Sequence, residues 1–142
     1  MISFSEEAEV TTTENLIKTY YEAFNNKKFS EMLNLLTDDI IHDTNQGDRS
    51  VGKTAFTAFL ADMDKYYDEF LDEMVIMVSA DGKRASAEFI CNGTYKVSCE
   101  GLPPARGQKY KIPVGCFFEI KDSKIARITN YYNLPDWVNQ VK

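Results

Sequence analysis

The stretch Ala85-Ser86-Ala87-Glu88-Phe89-Ile90-Cys91-Asn92-Gly93-Thr94-Tyr95-Lys96-Val97 has a period of two. Ala85, Ala87, Phe89, Cys91, Tyr95 and Val97 fall on one side, and Ser86, Glu88, Asn92, Thr94 and Lys96 on the other. Successive side chains of a strand point to opposite faces, so this pattern is an antiparallel strand with one face on a core. Gly93 breaks the row, as expected where a strand bends or bulges. Before it, Asp81-Gly82 reads as a tight hairpin turn, and Met74 to Val78 as a buried strand. After it, Glu100 to Gln108 is a loop containing Pro103, Pro104 and Gly107. Ile112, Val114, Cys116, Phe118 and Ile120 then alternate against Lys111, Glu119 and Lys121, and Lys121-Asp122-Ser123 turns the chain. On the last strand Ala126, Ile128, Asn130 and Tyr132 share a face opposite Arg127 and Thr129. The second half of the chain is therefore a long, bent, mostly antiparallel meander.

The first half has a helical period. Residues 1–10 are acidic and weakly patterned, and a mobile tail is expected there, ahead of a single domain over 11–142. Thr11-Thr12-Thr13-Glu14 fits a capping box, followed by Leu16, Tyr20 and Phe24 at intervals of four. Asn25-Asn26 stops this helix. Ser30 can cap a second one, with Met32, Leu33, Leu35 and Leu36 on its buried side. Asp39 to Asp43 is a short strand candidate that runs into a polar loop, Asn45 to Arg49. A third helix begins near Gly52, with Phe56, Phe59, Leu60 and Met63 on its apolar face and Tyr66, Tyr67 and Phe70 continuing it. Leu134-Pro135-Asp136-Trp137 opens a short final helix. Helices followed by a bent sheet make an α+β class, a cone-shaped roll enclosing a pocket.

Composition narrows the function. With 22 acidic and 16 basic residues the net charge is −6, which repels polyanions, so nucleic acid is not an expected partner. No apolar run is long enough to span a bilayer, and no basic stretch followed by an apolar run opens the chain, so neither a membrane nor a secretory leader is expected. The odd count of three cysteines fits a reduced, cytoplasmic protein. With a single histidine and no cysteine pair at metal-ligand spacing, no metal and no cofactor are expected, though carboxylate sites for hard cations stay open.

The order of elements resembles the nuclear-transport-factor-2-like superfamily, within it the ketosteroid-isomerase-related and SnoaL-like polyketide cyclase group. The matching segments are Tyr20 to Asn25, Leu36 to Asp43, Gly52 to Phe59, and the Pro-Pro loop Gly101 to Gly107. The resemblance implies a cofactor-independent isomerase-, cyclase- or hydrolase-type enzyme that acts on a small, largely apolar carbonyl, polyketide-like or steroid-like substrate by proton abstraction in a conical pocket. It implies an aspartate base just after the first strand. Counting back from Gly52 places that base at Asp43, and counting forward from the first helix places it at Thr44; Asp43 is the nearest carboxylate. It also implies Tyr20 as a donor to an enolate oxygen, with Cys116 where such isomerases carry a protonated aspartate. Proteins of this group pair through the outer sheet face, which implies a homodimer; Ile90 and Phe117 break the outward polar rows.

The candidate catalytic residues are thus Asp43, Tyr20 and His42, and the candidate substrate-binding residues are Asn130, Tyr132, Cys116, Phe59 and Arg106. His42 and Asp43 are consecutive on a strand, so they do not both face the cavity. Each residue also has a structural reading: Asp43 as a loop cap, Tyr20 and Phe59 as core, Cys116 as a small buried hydrophobe, Arg106 as a solvated loop residue. The alternative to an enzyme is a non-catalytic small-molecule-binding or protein-interaction module of the same fold. Asp43 exposed and turned away from any pocket would collapse the enzyme reading, and Asp43 buried beside Tyr20 with a raised pKa would strengthen it.

Overall fold

The computed structural model describes residues 4–142. In chain order it has α1 (Phe4–Asn25), α2 (Phe29–Asn34), β1 (Leu36–Thr44), β2 (Arg49–Val51), α3 (Lys53–Tyr66), β3 (Tyr67–Val78), β4 (Arg84–Tyr95), β5 (Lys109–Lys121), β6 (Lys124–Tyr132) and α4 (Leu134–Val141). The strands form one open six-stranded sheet in the order β2-β1-β6-β5-β4-β3. Only β1 and β6 run parallel. This is the expected α+β roll, with helices laid over the concave face of a mixed sheet.

Alternation decides which residues face the helices. Ala85, Ala87, Phe89, Cys91 and Tyr95 of β4 are buried, as are Tyr110, Ile112, Cys116 and Phe118 of β5 and Ile125 and Ile128 of β6. From the helical side, Ile17, Tyr20 and Tyr21 of α1 and Phe56 and Leu60 of α3 fill the concavity. Tyr21 meets Phe89 and Phe118 with ring centroids 5.0 and 6.1 Å apart. Val97, read as inward, lies beyond the end of β4 and is exposed.

The helical half differs from the sequence reading in its boundaries: α2 begins at Phe29, ahead of Ser30, β1 begins at Leu36 rather than Asp39, and three further differences shape the site. First, α1 starts at Phe4 rather than at Thr11, so the expected tail is helical from residue 4; residues 1–3 lie outside the described part. The hairpin tip explains the extra turns. Thr13 Oγ1 donates to the Gly82 carbonyl at 2.5 Å, and a Cβ on Gly82 would lie 2.8 Å from the Glu9 backbone. The early turns of α1 are packed on a glycine that allows the approach. Second, α3 ends at Tyr66, because Tyr67 enters the sheet opposite Tyr95 and stacks on it at 5.9 Å. Tyr67, Glu69 and Leu71 therefore face inward, and Phe70 faces out with 55% of its surface exposed. Third, the polar loop after β1 is shorter than expected, since Arg49–Val51 pairs back on Ile41–Asp43 as β2.

Edge strand β3 is held by a side chain. Asn25, at the end of α1, accepts from the Leu71 amide at 2.8 Å and donates to the Leu71 carbonyl at 2.9 Å. It thereby covers one station of an otherwise open edge. Asn25→Ala leaves both backbone groups half-buried and unpartnered, and should cost about 1–3 kcal/mol. Urea unfolding of the two proteins measures the difference.

Candidate functional site

The concave face leaves a cavity of about 300 Å³ between the sheet, α1, α3 and α4. That volume suits a small organic molecule. Its wall is mostly aromatic and aliphatic, and the few polar groups in it are the informative ones.

His42 is the first. It sits on β1 with its side chain inward and 4% exposed. Its ring packs edge-on against Phe56 and Phe59 of α3, at centroid distances of 5.0 and 4.4 Å. Nε2 lies 2.8 Å from Asn130 Oδ1. Asn130 is on β6, which pairs with β1 so that Thr44 faces Asn130. The Asn130 amide is fixed in turn, because Nδ2 donates to Cys116 Sγ at 3.1 Å. With Nδ2 committed to sulfur, Oδ1 is the acceptor, so Nε2 carries the ring proton and Nδ1 the lone pair. Burial lowers the imidazole pKa, while Asn130 and the nearby charge of Asp43 pull it partly back. The ring is neutral near neutral pH.

Asp43 points the other way. It belongs to the outer face, where the Arg49 guanidinium grips it in a fork, Nε to Oδ1 at 2.7 Å and Nη2 to Oδ2 at 2.9 Å. Arg49 stands directly opposite Asp43 in the β1–β2 pair. Thr129 Oγ1 donates to Oδ2 at 3.4 Å and itself accepts from Arg127. The Arg49 hydrogen bonds hold the Asp43 carboxyl below the usual range. Asp43 is absent from the cavity wall, where the resemblance would have its base: strand alternation sends His42 inward and Asp43 outward.

The remaining expected residues divide. Tyr20, Phe59, Asn130 and Tyr132 line the cavity with His42. Burial raises the hydroxyl pKa of Tyr20 and of Tyr132, so both stay protonated donors. Cys116 is fully buried behind Asn130 and acts as its acceptor rather than as wall; burial pushes its thiol up to about 11. Arg106 is elsewhere. Its guanidinium donates to the carbonyls of Val141 (3.4 Å) and Lys142 (2.6 Å), and Gln108 Nε2 donates to Val141 O at 2.7 Å. Carbonyls at a helix C-terminus lack intrahelical partners, and the loop supplies them. Arg106 therefore fixes α4, whose Trp137 lines the cavity.

Glu69 and Tyr110 were missed. Both line the cavity, and the Tyr110 hydroxyl donates to Glu69 Oε2 at 2.5 Å. Tyr67-Asp68-Glu69-Phe70-Leu71 read with a period of two puts Glu69 inward; read with a helical period, it disappears into the third helix.

His42 is the chain's only histidine, so its ring titration can be followed by proton NMR without ambiguity. Its midpoint should fall below the ordinary value of about 6.5. Asn130→Ala removes an acceptor that supports the imidazolium and should lower the midpoint further. The sign for stability follows from the lowered folded value. The unfolded chain takes up the proton first, so this contribution is intact above pH ~6.5 and is lost as pH falls from there through the folded midpoint. A midpoint above that of an unfolded peptide would contradict this site.

Residues 17–128 match the SnoaL-like domain family. No curated protein matches the sequence. Among solved structures, a candidate polyketide cyclase from Xanthomonas campestris pv. campestris is 42% identical, with 94% of this chain and 99% of that one covered and a TM-score of 0.92. Another from Pseudomonas putida KT2440 is 52% identical over 89% and 96% of the two chains, with a TM-score of 0.88. An LEH-like epoxide hydrolase of M. tuberculosis, 16% identical over 94% and 88% with a TM-score of 0.75, shares the fold alone. The chain belongs to the SnoaL-like family and so to the nuclear-transport-factor-2-like superfamily.

Proposed function

We propose that this SnoaL-like chain is an isomerase- or cyclase-type enzyme that moves a proton on a small, largely apolar carbonyl compound, with His42 as the base. The observation that carries the reading is the His42–Asn130 hydrogen bond inside an otherwise apolar cavity. A neutral imidazole whose N–H is already satisfied has one thing left to offer a ligand, the Nδ1 lone pair. Nδ1 takes the proton from a carbon next to the carbonyl, and the electron pair moves onto the carbonyl oxygen. Tyr20, kept protonated by burial, donates to that oxygen as its charge develops. Asn130 Oδ1 supports the imidazolium that forms, and Asp43, on the next residue, adds an attractive charge. Returning the proton to another carbon completes an isomerisation; closing the enolate carbon onto a second carbonyl, whose oxygen then takes the proton back from the imidazolium, completes a cyclisation. The step uses side chains alone. Its kinship with candidate polyketide cyclases agrees with such chemistry.

The second reading, a non-catalytic ligand-binding module, draws on Cys116. The sulfur occupies the Asn130 amide and supplies no second donor to an oxyanion. Exchange of substrate protons separates the two. Wild-type protein in heavy water should speed deuterium uptake next to the carbonyl of an apolar ketone taken from a panel, read by NMR. His42→Ala should lower that rate by at least ~100-fold, and Asp43→Asn by less than about tenfold. Equal exchange by wild type and His42→Ala would contradict the assignment.

Two copies pair, in the same proposal, through the outer sheet face. Phe70, Val75, Met77, Phe117 and Tyr131 are all exposed there, and Phe117 packs edge-on against Tyr131 at 5.7 Å. Light scattering should give twice the monomer mass at micromolar concentration, and Phe117→Asp should give the monomer.

A further inference from the structure

Glu69 takes no part in the step above, yet it is the one carboxylate in the cavity wall among the described residues. The fold builds a place for it. Glu69 stands opposite Gly93 across β3 and β4, and Gly93 stands opposite Tyr110 across β4 and β5. A Cβ on Gly93 would lie 2.1 Å from the Tyr110 ring. The missing side chain lets Tyr110 cross β4 and reach Glu69 Oε2. Cys91 lies beside the same carboxyl.

These partners are neutral. The nearby ammonium of Lys27 pulls the carboxyl pKa partly back, but its direct contacts are to Asp68 Oδ1 at 3.1 Å and to the Glu69 backbone carbonyl at 3.3 Å. Among the described residues no Lys or Arg forms an ion pair with the Glu69 side chain. A carboxylate withdrawn from water is costly until a cation meets it. Burial accordingly holds its carboxyl above the usual range. The wall around it is aromatic: Tyr67, Tyr110, Tyr132 and Trp137 line this end, with Trp137 edge-on to Tyr67 and Tyr110 at 5.9 and 5.7 Å. Aromatic rings and a carboxylate together suit an ammonium group, through the ring quadrupoles and the full charge.

We propose that this end of the cavity binds the ammonium group of an amine-bearing apolar ligand, with Glu69 as its counter-ion. An alcohol would satisfy the hydrogen bond but leave the charge uncompensated, and a carboxylate ligand would be repelled. The amine end and the His42–Asn130 end are distinct. Tyr110 and Cys116 stand six positions apart along the inward row of β5. The ligand is therefore an elongated amino-carbonyl compound, with its amine at Glu69 and its reacting carbonyl toward His42. The inference names the substrate class for the function proposed above and rests on that reading for the carbonyl end. Its test reads binding without turnover, so a failed base assignment at His42 and a failed amine site give different results.

Trp137 is the only tryptophan and reports from within the wall. Its fluorescence can be titrated near neutral pH with phenylbutylamine, phenylbutanol and phenylbutyrate, which share one apolar body. The amine should bind at least about tenfold more tightly than the alcohol, and the butyrate weakest. In Glu69→Gln, which keeps the shape and an acceptor for Tyr110, the amine should lose its advantage while the alcohol binds as before. A smaller amine preference in the wild type, an amine preference that survives in Glu69→Gln, or no binding by any of the three overturns the proposal. Should Glu69→Gln fail to fold, the order of the three probes on wild-type protein decides.

Discussion

A buried imidazole needs a partner for its N–H, and the site is arranged around that need. His42 is placed among phenylalanines, where water cannot serve it. Asn130 supplies the acceptor from the neighbouring strand. That requires β1 and β6 to lie side by side, the one parallel pair in the sheet. It also requires the amide to be oriented, which Cys116 does from β5. β1 is thus tied to the consecutive strands β5 and β6, distant from it in sequence, by three side chains. The same chain of bonds leaves Nδ1 as the open valence of the ring.

The two faces of β1 separate two kinds of electrostatics. On the outer face Asp43 is ionised, gripped by Arg49 and backed by Thr129 and Arg127, and its charge is spent in an ion pair. On the inner face His42 is neutral and carries a hydrogen bond. A carboxylate on a solvated face, already paired, makes a poor base; a desolvated neutral imidazole makes a good one near neutral pH. The far wall has its own logic. Glu69 is reached by Tyr110 because Gly93 is bare, and Trp137 closes over it on a helix whose final carbonyls are held by Arg106 and Gln108.

Much of this was legible in the sequence. The period of two from Ala85 to Tyr95 and from Ile112 to Ile120 located the inward faces of β4 and β5, and Asn130 and Tyr132 were found as polar members of an inward row. His42 and Asp43 were known to be mutually exclusive, but the sequence could not say which one faced in. That depended on Arg49, whose pairing as β2 draws Asp43 outward and which read as loop. Arg106 read as a substrate-binding candidate or a solvated loop residue because its partners, the carbonyls ending α4, are more than thirty positions away. Glu69 escaped for a different reason. Met63, Tyr66, Tyr67 and Phe70 keep a helical spacing across a junction where the backbone has already become a strand, and pairing with Tyr95 overrides that local pattern.

The central claim is a neutral His42 with Nε2–H held by Asn130 and an unprotonated Nδ1 open to the cavity. The ¹⁵N chemical shifts of this ring in labelled protein near neutral pH test it most directly. The account predicts one protonated nitrogen, Nε2, with its hydrogen bonded, and a pyridine-like shift at Nδ1. In Asn130→Ala the Nε2 signal should lose its hydrogen-bonded shift. An Nδ1–H tautomer, or a doubly protonated ring at that pH, would contradict the account.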